Sequence, residues 1–296
     1  MIKRLRTLLE MIRFSHTLFA LPFALLSAAL AWRSKGAFSW LELVGILLCM
    51  VFARSAAMAF NRLADRHFDA ANPRTASRHL PSGQLTTGIV WLFTLVCAAC
   101  FIATTGLFLL AQPANEWPLL LSPAVLMFVC AYSYTKRFTA LAHFWLGVSL
   151  LLAPLASWIA IRGLDDLLTP VVLGLAVCFW VAGFDIIYAC QDVEFDRKAR
   201  LASIPAKIGV AASLRMALAC HLVMLGLLVT LYFAASPYLG TIYLLGVTAV
   251  GILLVYEHWL VCPTDLTRVN QAFFQVNAII SIGLLVAVLI DLAVKG

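Results

Sequence analysis

The chain has 296 residues, of which 63% are hydrophobic and only 12% charged, with a net charge of +7 and a mean hydropathy of +0.98. A soluble domain carries about a quarter charged residues, so this composition excludes a pair of ordinary soluble domains. It also excludes a nucleic-acid-binding role for the positive charge, because no soluble basic domain is present to carry it.

Apolar runs of about twenty residues recur along the chain, and each is long enough to cross a bilayer as a helix. They predict nine spans, over residues 15–33, 40–60, 87–111, 117–135, 142–161, 168–190, 211–234, 238–260 and 272–293. The expected fold is all-α: a polytopic membrane bundle, residues 1–296 forming one domain with short connections. The start, Met1-Ile-Lys-Arg-Leu-Arg, has the charge of a signal-peptide n-region. No small-residue cleavage site follows it, so the first apolar run is read as a retained helix.

The placement of Lys and Arg sets the expected orientation. With the N-terminus inside, the cytoplasmic side receives Lys3, Arg4, Arg6 and Arg13, then Arg62, Arg66, Arg74 and Arg78, then Lys136 and Arg137. Arg197, Lys198, Arg200, Lys207 and Arg268 follow on the same side, against only Arg33, Lys35, Arg162 and Lys295 outside. The expected orientation is N-terminus in and C-terminus out. The chemistry-bearing residues then gather on the cytoplasmic face, where the second span runs into Asn61-Arg-Leu-Ala-Asp65-Arg-His-Phe-Asp69 and the sixth into Tyr188-Ala-Cys-Gln191-Asp192-Val-Glu-Phe-Asp196.

Asn61, Asp65 and Asp69 are spaced four apart, as are Tyr188, Asp192 and Asp196. Each step of four drifts about 40° around an α-helix, so each trio forms one stripe. Carboxylates at a membrane face need compensating cations. Oxygen ligands without His or Cys at matching spacing select Mg2+ or Mn2+ over Zn2+. Two matched stripes on one side therefore read as a clamp for a metal-bound diphosphate. Asp65, Asp69, Asp192 and Asp196 are the metal ligands, with Asn61 as a neutral ligand and Gln191 beside the second stripe. Arg13, Arg74, Lys136, Arg137 and Lys207 are the candidate diphosphate contacts.

Asp185 lies one heptad before Asp192 and deeper in the span. It reads either as a base toward an acceptor or as a structural hub paired with Arg54. Phe19, Phe23, Tyr132, Tyr134, Trp145, Trp180 and Phe184 are candidates for an aromatic wall around positive charge. His143 and His258 read as helix-end residues or acceptor contacts, and His221 as a packed helix histidine. Seven of the eight cysteines fall within predicted spans and read as small core residues, Cys97 and Cys100 included.

The stretch Asn61-x-x-x-Asp65-x-x-x-Asp69, followed by Asn72-Pro-Arg74-Thr-Ala-Ser-Arg78-His-Leu-Pro81-Ser-Gly83, resembles the first signature of the UbiA superfamily of membrane prenyltransferases. Tyr188-x-x-Gln191-Asp192-x-x-x-Asp196 resembles the second, and Lys136-Arg137-Phe-Thr139 after Tyr132-Ser-Tyr134 resembles a further loop. The resemblance implies nine helices around a central cavity open to the cytoplasm and to membrane lipid. It also implies Mg2+-dependent transfer of a prenyl group from a polyprenyl diphosphate to an aromatic acceptor in quinone synthesis.

Members acting on 4-hydroxybenzoate commonly carry Pro-Gln shortly after Lys-Arg-x-Thr, where this chain has Ala142-His143. The loop from Pro263 to Phe274 is similar to a quinone-pathway branch, some of whose members are thought to prenylate a futalosine-type intermediate. The acceptor therefore stays open between a 4-hydroxybenzoate-like ring and a futalosine-type precursor. A secondary transporter is the rival from another class, since it too combines many spans with intramembrane acids. An intramembrane metalloprotease is excluded by the lack of an H-E-x-x-H spacing.

Overall fold

A computed structural model describes residues 2–12 and 19–295, the side chains of residues 2–5 apart. Thirteen α-helices follow one another: α1 (Ile2–Met11), α2 (Leu21–Lys35), α3 (Trp40–Ala71), α4 (Thr87–Thr105), α5 (Trp117–Thr135), α6 (Ala142–Arg162), α7 (Leu168–Ala189), α8 (Val193–Lys198), α9 (Ile204–Ile208), α10 (Val210–Ala234), α11 (Thr241–Trp259), α12 (Val269–Gln271) and α13 (Asn277–Lys295). A helix satisfies its own backbone donors and acceptors, which is what an apolar run in lipid requires. Among the described residues the one β-bridge joins Cys262 to Asp265 in the loop after α11.

Eight helical segments among the described residues are long and apolar enough to span a bilayer. The exception to the expected nine is the first. Its described part, α2, has 15 residues, about 22 Å at a helical rise of 1.5 Å per residue, and the expected start at residue 15 lies outside the described residues. Seven of the other expected spans match helices to within a few residues, while the second, expected to end at residue 60, runs on as one helix to Ala71.

The chain divides into two compact units, one of α1 with Leu41–Thr135 and the other of α2 with the chain from Lys136 onward. In the first unit α3 is 32 residues long, about 48 Å by its rise, against a hydrocarbon core of about 30 Å. Its polar C-terminal third therefore continues the same helix beyond the apolar run. Leu8, Met11 and Ile12 from α1 and the turn after it pack with Ala59 and Leu63 of α3 and with Leu85 and Val90. Phe60 of α3 meets Trp91 of α4 and Tyr134 of α5 edge-on, at 5.9 Å each. These contacts hold the polar end of α3 in a fixed rotation.

In the second unit α7 is the central helix. Its span is 72% buried, against 17–39% for the other seven. It packs between α6 and α10, while α2 lies on α6 and α11 on α13. The α6–α7 seam is close because Gly147 faces the backbone of Cys178; a Cβ there would collide with the Cys178 carbonyl. Small residues at such seams let helix backbones approach in lipid. Ser27 of α2 donates to the Pro154 carbonyl of α6 at 2.7 Å.

Candidate active site

The first motif is helical throughout, as its spacing predicts. Asn61, Asp65 and Asp69 all lie on α3. Asn61 donates through Nδ2 to Asp65 Oδ2 at 2.8 Å and approaches Ser133 Oγ of α5 at 3.4 Å. Both contacts use Nδ2, not Oδ1.

Asp69 is buried at 6% exposure. Arg78 Nη1 donates to its Oδ1 at 2.6 Å, and Arg62 Nη1 stands 3.6 Å from Oδ2. These arginines were not assigned from the sequence, although Arg78 stands inside the quoted signature. The loop from Asn72 to Gly83 folds back onto the helix end to bring Arg78 there. Asn72 Oδ1 accepts from the Arg74 N–H at 2.9 Å, and Thr75 Oγ1 donates to the Asp69 carbonyl at 3.0 Å. Gly83 closes the loop at φ 74°, a left-handed turn that a glycine adopts without strain. Arg74 is exposed on this loop.

The second motif departs from its expected geometry. Tyr188 ends α7, but Cys190–Asp192 form a 3-10 turn and α8 starts only at Val193. A 3-10 turn advances about 20° more per residue than an α-helix. Tyr188, Asp192 and Asp196 are therefore not one α-helical stripe, and this corrects the sequence reading. Gln191 turns back and donates to the Tyr188 carbonyl at 3.2 Å.

Asp196 is 3% exposed and bonds to the Ser203 side chain. Ser203 also caps α9, accepting from the Ala206 N–H at 3.3 Å. The turn between them is closed by Leu201 N–H to the Asp196 carbonyl at 2.8 Å, and Ala202 N–H reaches the Lys136 carbonyl at 2.7 Å. That bond sets the Lys136 backbone beside the turn after Asp196, and the Lys136 charge acts on this carboxylate. Arg137 and Lys207 are exposed on neighbouring turns of the same unit.

Asp185 has a defined partner. His143 Nδ1 lies 2.6 Å from Asp185 Oδ2, and the imidazole is fully buried. The Ile204 N–H points at His143 Nε2 at 3.4 Å. Nε2 is thus the acceptor, and Nδ1–H donates to the carboxylate. The hydrogen-bonded partner of Asp185 is thus His143, not the Arg54 named for the hub reading. Ala142-His143 is the very pair that replaces Pro-Gln, so the departure from the signature carries a structural role.

Phe19, Phe23, Trp180 and Phe184 gather as one aromatic group: Phe23–Trp180 at 5.0 Å, Trp180–Phe184 at 5.0 Å and Phe19–Phe184 at 5.9 Å. Phe273 and Phe274 complete it, and Phe273 also lies 4.4 Å from the ring of Tyr188. Tyr134 instead packs on Phe60 in the first unit. His221 is buried and faces His258, Nδ1 to Nε2, at 2.9 Å. Asp265 closes its own surface turn; hydrogen bonds from Thr267 hold its carboxyl below the usual carboxylate range. The cysteines are all unpaired thiols. Arg13 lies outside the described residues.

The donors of each motif, carboxylates and in the first an amide oxygen, are of the kind a hard divalent cation takes. Within its own unit each motif has one carboxylate oxygen buried without a hydrogen bond among the described residues: Asp69 Oδ2, with only the long Arg62 contact, and Asp196 Oδ2. A buried carboxylate oxygen of this kind calls for a further partner. No three His, Cys, Asp or Glu side chains converge among the described residues.

Residues 20–279 match the UbiA prenyltransferase family. This chain belongs to that family. A 4-hydroxybenzoate octaprenyltransferase of Paraburkholderia phytofirmans is 30% identical over 281 residues, which cover 94% of this chain and 93% of the relative. The apo structure of a UbiA homologue from Aeropyrum pernix K1 superposes with a TM-score of 0.83 at 31% identity, covering 94% of this chain and 98% of that one. A UbiA homologue from Archaeoglobus fulgidus, bound to DMAPP and Mg2+, has the same fold at a TM-score of 0.71 and 20% identity, covering 97% and 99%. The protein is an all-helical integral membrane prenyltransferase, and the transporter reading gives way to an enzyme.

Proposed function

We propose that this UbiA-family enzyme transfers a polyprenyl group from a polyprenyl diphosphate to an aromatic acceptor of the 4-hydroxybenzoate type. The observation that carries the reading is the pair of buried, hydrogen-bond-free oxygens, Asp69 Oδ2 and Asp196 Oδ2, one in each motif. Buried carboxylates that each lack a hydrogen bond on one oxygen, that of Asp69 having only Arg62 at 3.6 Å, suit a metal-bound diphosphate better than a solvated surface does.

Asp65, Asp69, Asp192 and Asp196, with Asn61 as a neutral ligand, would hold Mg2+. The ion supplies charge compensation for the departing diphosphate. Arg74, Lys136, Arg137 and Lys207 contact the diphosphate oxygens and stabilise the same charge, as preorganised cations do; Arg13 belongs to this set. The allylic carbon–oxygen bond breaks heterolytically, leaving a delocalised cation. Tyr188 and the aromatic group of Phe19, Phe184 and Phe273 present ring faces to that cation and exclude water that would quench it. The acceptor's ring carbon then bonds to the allylic carbon and loses its proton.

Asp185 orders this chemistry from behind. Its bond to His143, and the His143 bond to Ile204, tie α7, α6 and the turn after Asp196 together. Residues 1–296 act as one catalytic domain in a bacterial inner membrane, with the N-terminus and both motifs cytoplasmic and the C-terminus outside. The isoprenoid tail runs along apolar side chains toward membrane lipid, and no nucleic acid takes part.

A second reading takes a futalosine-type precursor as the acceptor, on the likeness of the Pro263–Phe274 loop, and His143, bonded to Asp185, stands where 4-hydroxybenzoate enzymes commonly carry Pro-Gln. The experiment is mass spectrometry of products from purified protein given a polyprenyl diphosphate, Mg2+ and, separately, 4-hydroxybenzoate, dihydroxynaphthoate and a futalosine derivative. A prenylated product from one of them, lost on chelating the metal, supports the reading. Donor left intact with every acceptor sinks it.

A further inference from the structure

Behind the aromatic group lies a buried polar cluster that the proposed chemistry does not use. Residues Ala272–Val276 form a π-helical turn between α12 and α13. Such a turn takes in one extra residue and leaves carbonyls without their usual i+4 donors. Asn277 supplies the missing donors. Its Nδ2 stands 3.3 Å from the Ala272 carbonyl and 3.1 Å from that of Phe273. The same nitrogen lies 3.2 Å from Glu257 Oε1 of α11, and Asn277 Oδ1 accepts from Trp180 Nε1 of α7 at 2.6 Å. Asn277, Glu257 and Trp180 are all at 0% exposure. One amide therefore joins α7, α11 and the π turn, its two N–H donors shared among three acceptors.

What the π turn presents is Phe273. Its ring lies 4.4 Å from Tyr188, 5.1 Å from Phe184 and 5.7 Å from Phe19. Phe184 and Phe19 are buried, while Tyr188, Phe273 and Phe274 are half-buried, so the Tyr188–Phe273 pair lies on the open side of the group. Tyr188 is four residues before Asp192, a rise of about 6–8 Å across the helix end and the 3-10 turn. A prenyl diphosphate whose phosphates reach Asp192 would lay its first carbons at this distance.

We propose that Asn277, anchored by Trp180 and Glu257, is a positioning residue that locks the π turn so that Phe273 closes on Tyr188, and that this ring pair shields the allylic carbon from water. The proposal rests on the reading that Asp192 binds the donor's diphosphate. Its signature is the fate of the allylic cation. With the pair closed, the carbon bonds to the acceptor ring. With it open, a water oxygen bonds to the allylic carbon and loses a proton, giving prenyl alcohol beside the freed diphosphate. A merely structural Asn277 would change the amount of active protein without changing this partition.

The test uses the full-length protein in detergent with a prenyl diphosphate, Mg2+, the acceptor that wild type prenylates, and 18O-labelled water. Mass spectrometry reads the ratio of labelled prenyl alcohol to prenylated acceptor. Asn277→Ala is expected to raise that ratio about tenfold with the donor KM within about threefold, since small misplacements at a reacting centre carry rate effects of this order. Glu257→Ala follows Asn277→Ala, and Glu257→Gln, which keeps the Oε1 acceptor, restores the wild-type ratio. Phe273→Leu leaves the polar cluster intact and raises the ratio by itself, so it decides the matter if Asn277→Ala does not fold. Wild-type partition in Phe273→Leu and in any folded Asn277→Ala overturns the proposal while leaving the function standing. A wild type that makes no prenylated product overturns the function, and this proposal with it.

Discussion

The two aspartate motifs share a spacing in the sequence and differ in how the chain builds them. The first is a continuous helix, α3, carried past the apolar run, with its last carboxylate held by Arg78 and Arg62. The second is broken by a 3-10 turn at Cys190–Asp192, and its last carboxylate is held by the Ser203 hydroxyl, with Lys136 near by. A buried acid can be kept by a full ion pair or by neutral donors and a distant charge. The first solution holds tightly and depends heavily on its partner; the second leaves the carboxylate better able to take another cation. The comparison teaches that one spacing can encode two electrostatic settings around what we propose is a single substrate.

The sharpest way to break the comparison is to neutralise one carboxylate in each motif. Asp65→Asn and Asp192→Asn are each expected to lower kcat by about a thousandfold, the scale of losing a charge-stabilising group at a reacting centre, measured as prenylated product under saturating Mg2+. A large loss in one motif and not the other would mean that the halves are not equivalent in the chemistry.

Next in size is Arg78→Ala, which leaves Asp69 buried with only Arg62 at 3.6 Å. Removing one partner of a buried ion pair costs about 3–5 kcal/mol, so the thermal midpoint in detergent should fall clearly. Arg78→Lys should recover part of that loss. A midpoint unchanged in Arg78→Ala would mean that the pair does not hold the helix end.

A smaller effect is expected at His143→Ala. It removes the Asp185 partner and the acceptor for Ile204, a loss of about 1–3 kcal/mol for a buried polar group left without its bond. Because the Ile204 turn follows Asp196, donor affinity should weaken with stability, and titration of donor binding checks it. The smallest is Ser203→Ala, which deletes the α9 cap at about 1 kcal/mol and one donor to Asp196. Its midpoint should move far less than that of Arg78→Ala. An equal shift in the two would erase the distinction between the settings.

Much of this was legible before any coordinates. Apolar runs placed seven spans to within a few residues and an eighth approximately, because lipid leaves a helix as the one local solution for such runs. Asn61, Asp65 and Asp69 were readable as a helical stripe, because α3 continues without Gly or Pro through the motif. The 3-10 break at Cys190–Asp192 was not, since Ala189-Cys-Gln-Asp192 contains no breaker; bonds from distant residues accompany it, such as Ala202 to Lys136 and Ser203 to Asp196. The π turn at Ala272–Val276 was hidden for the same reason, its stabilising donor being a side chain that sequence periodicity does not report. The Asp185–His143 bond joins residues 42 apart. Periodicity could put Asp185 on the right face of its helix but could not choose its partner.

The central claim is that the two motifs serve one metal-bound diphosphate. Calorimetric titration of a prenyl diphosphate in Mg2+ into wild type, Asp65→Asn, Asp192→Asn and the double variant tests it most directly. The account predicts one donor bound per chain, affinity lowered at least about tenfold by either substitution, and a double variant little worse than either single one, as groups acting as a unit are non-additive. Two donors bound per chain, or free energies that add across the two motifs, would contradict it.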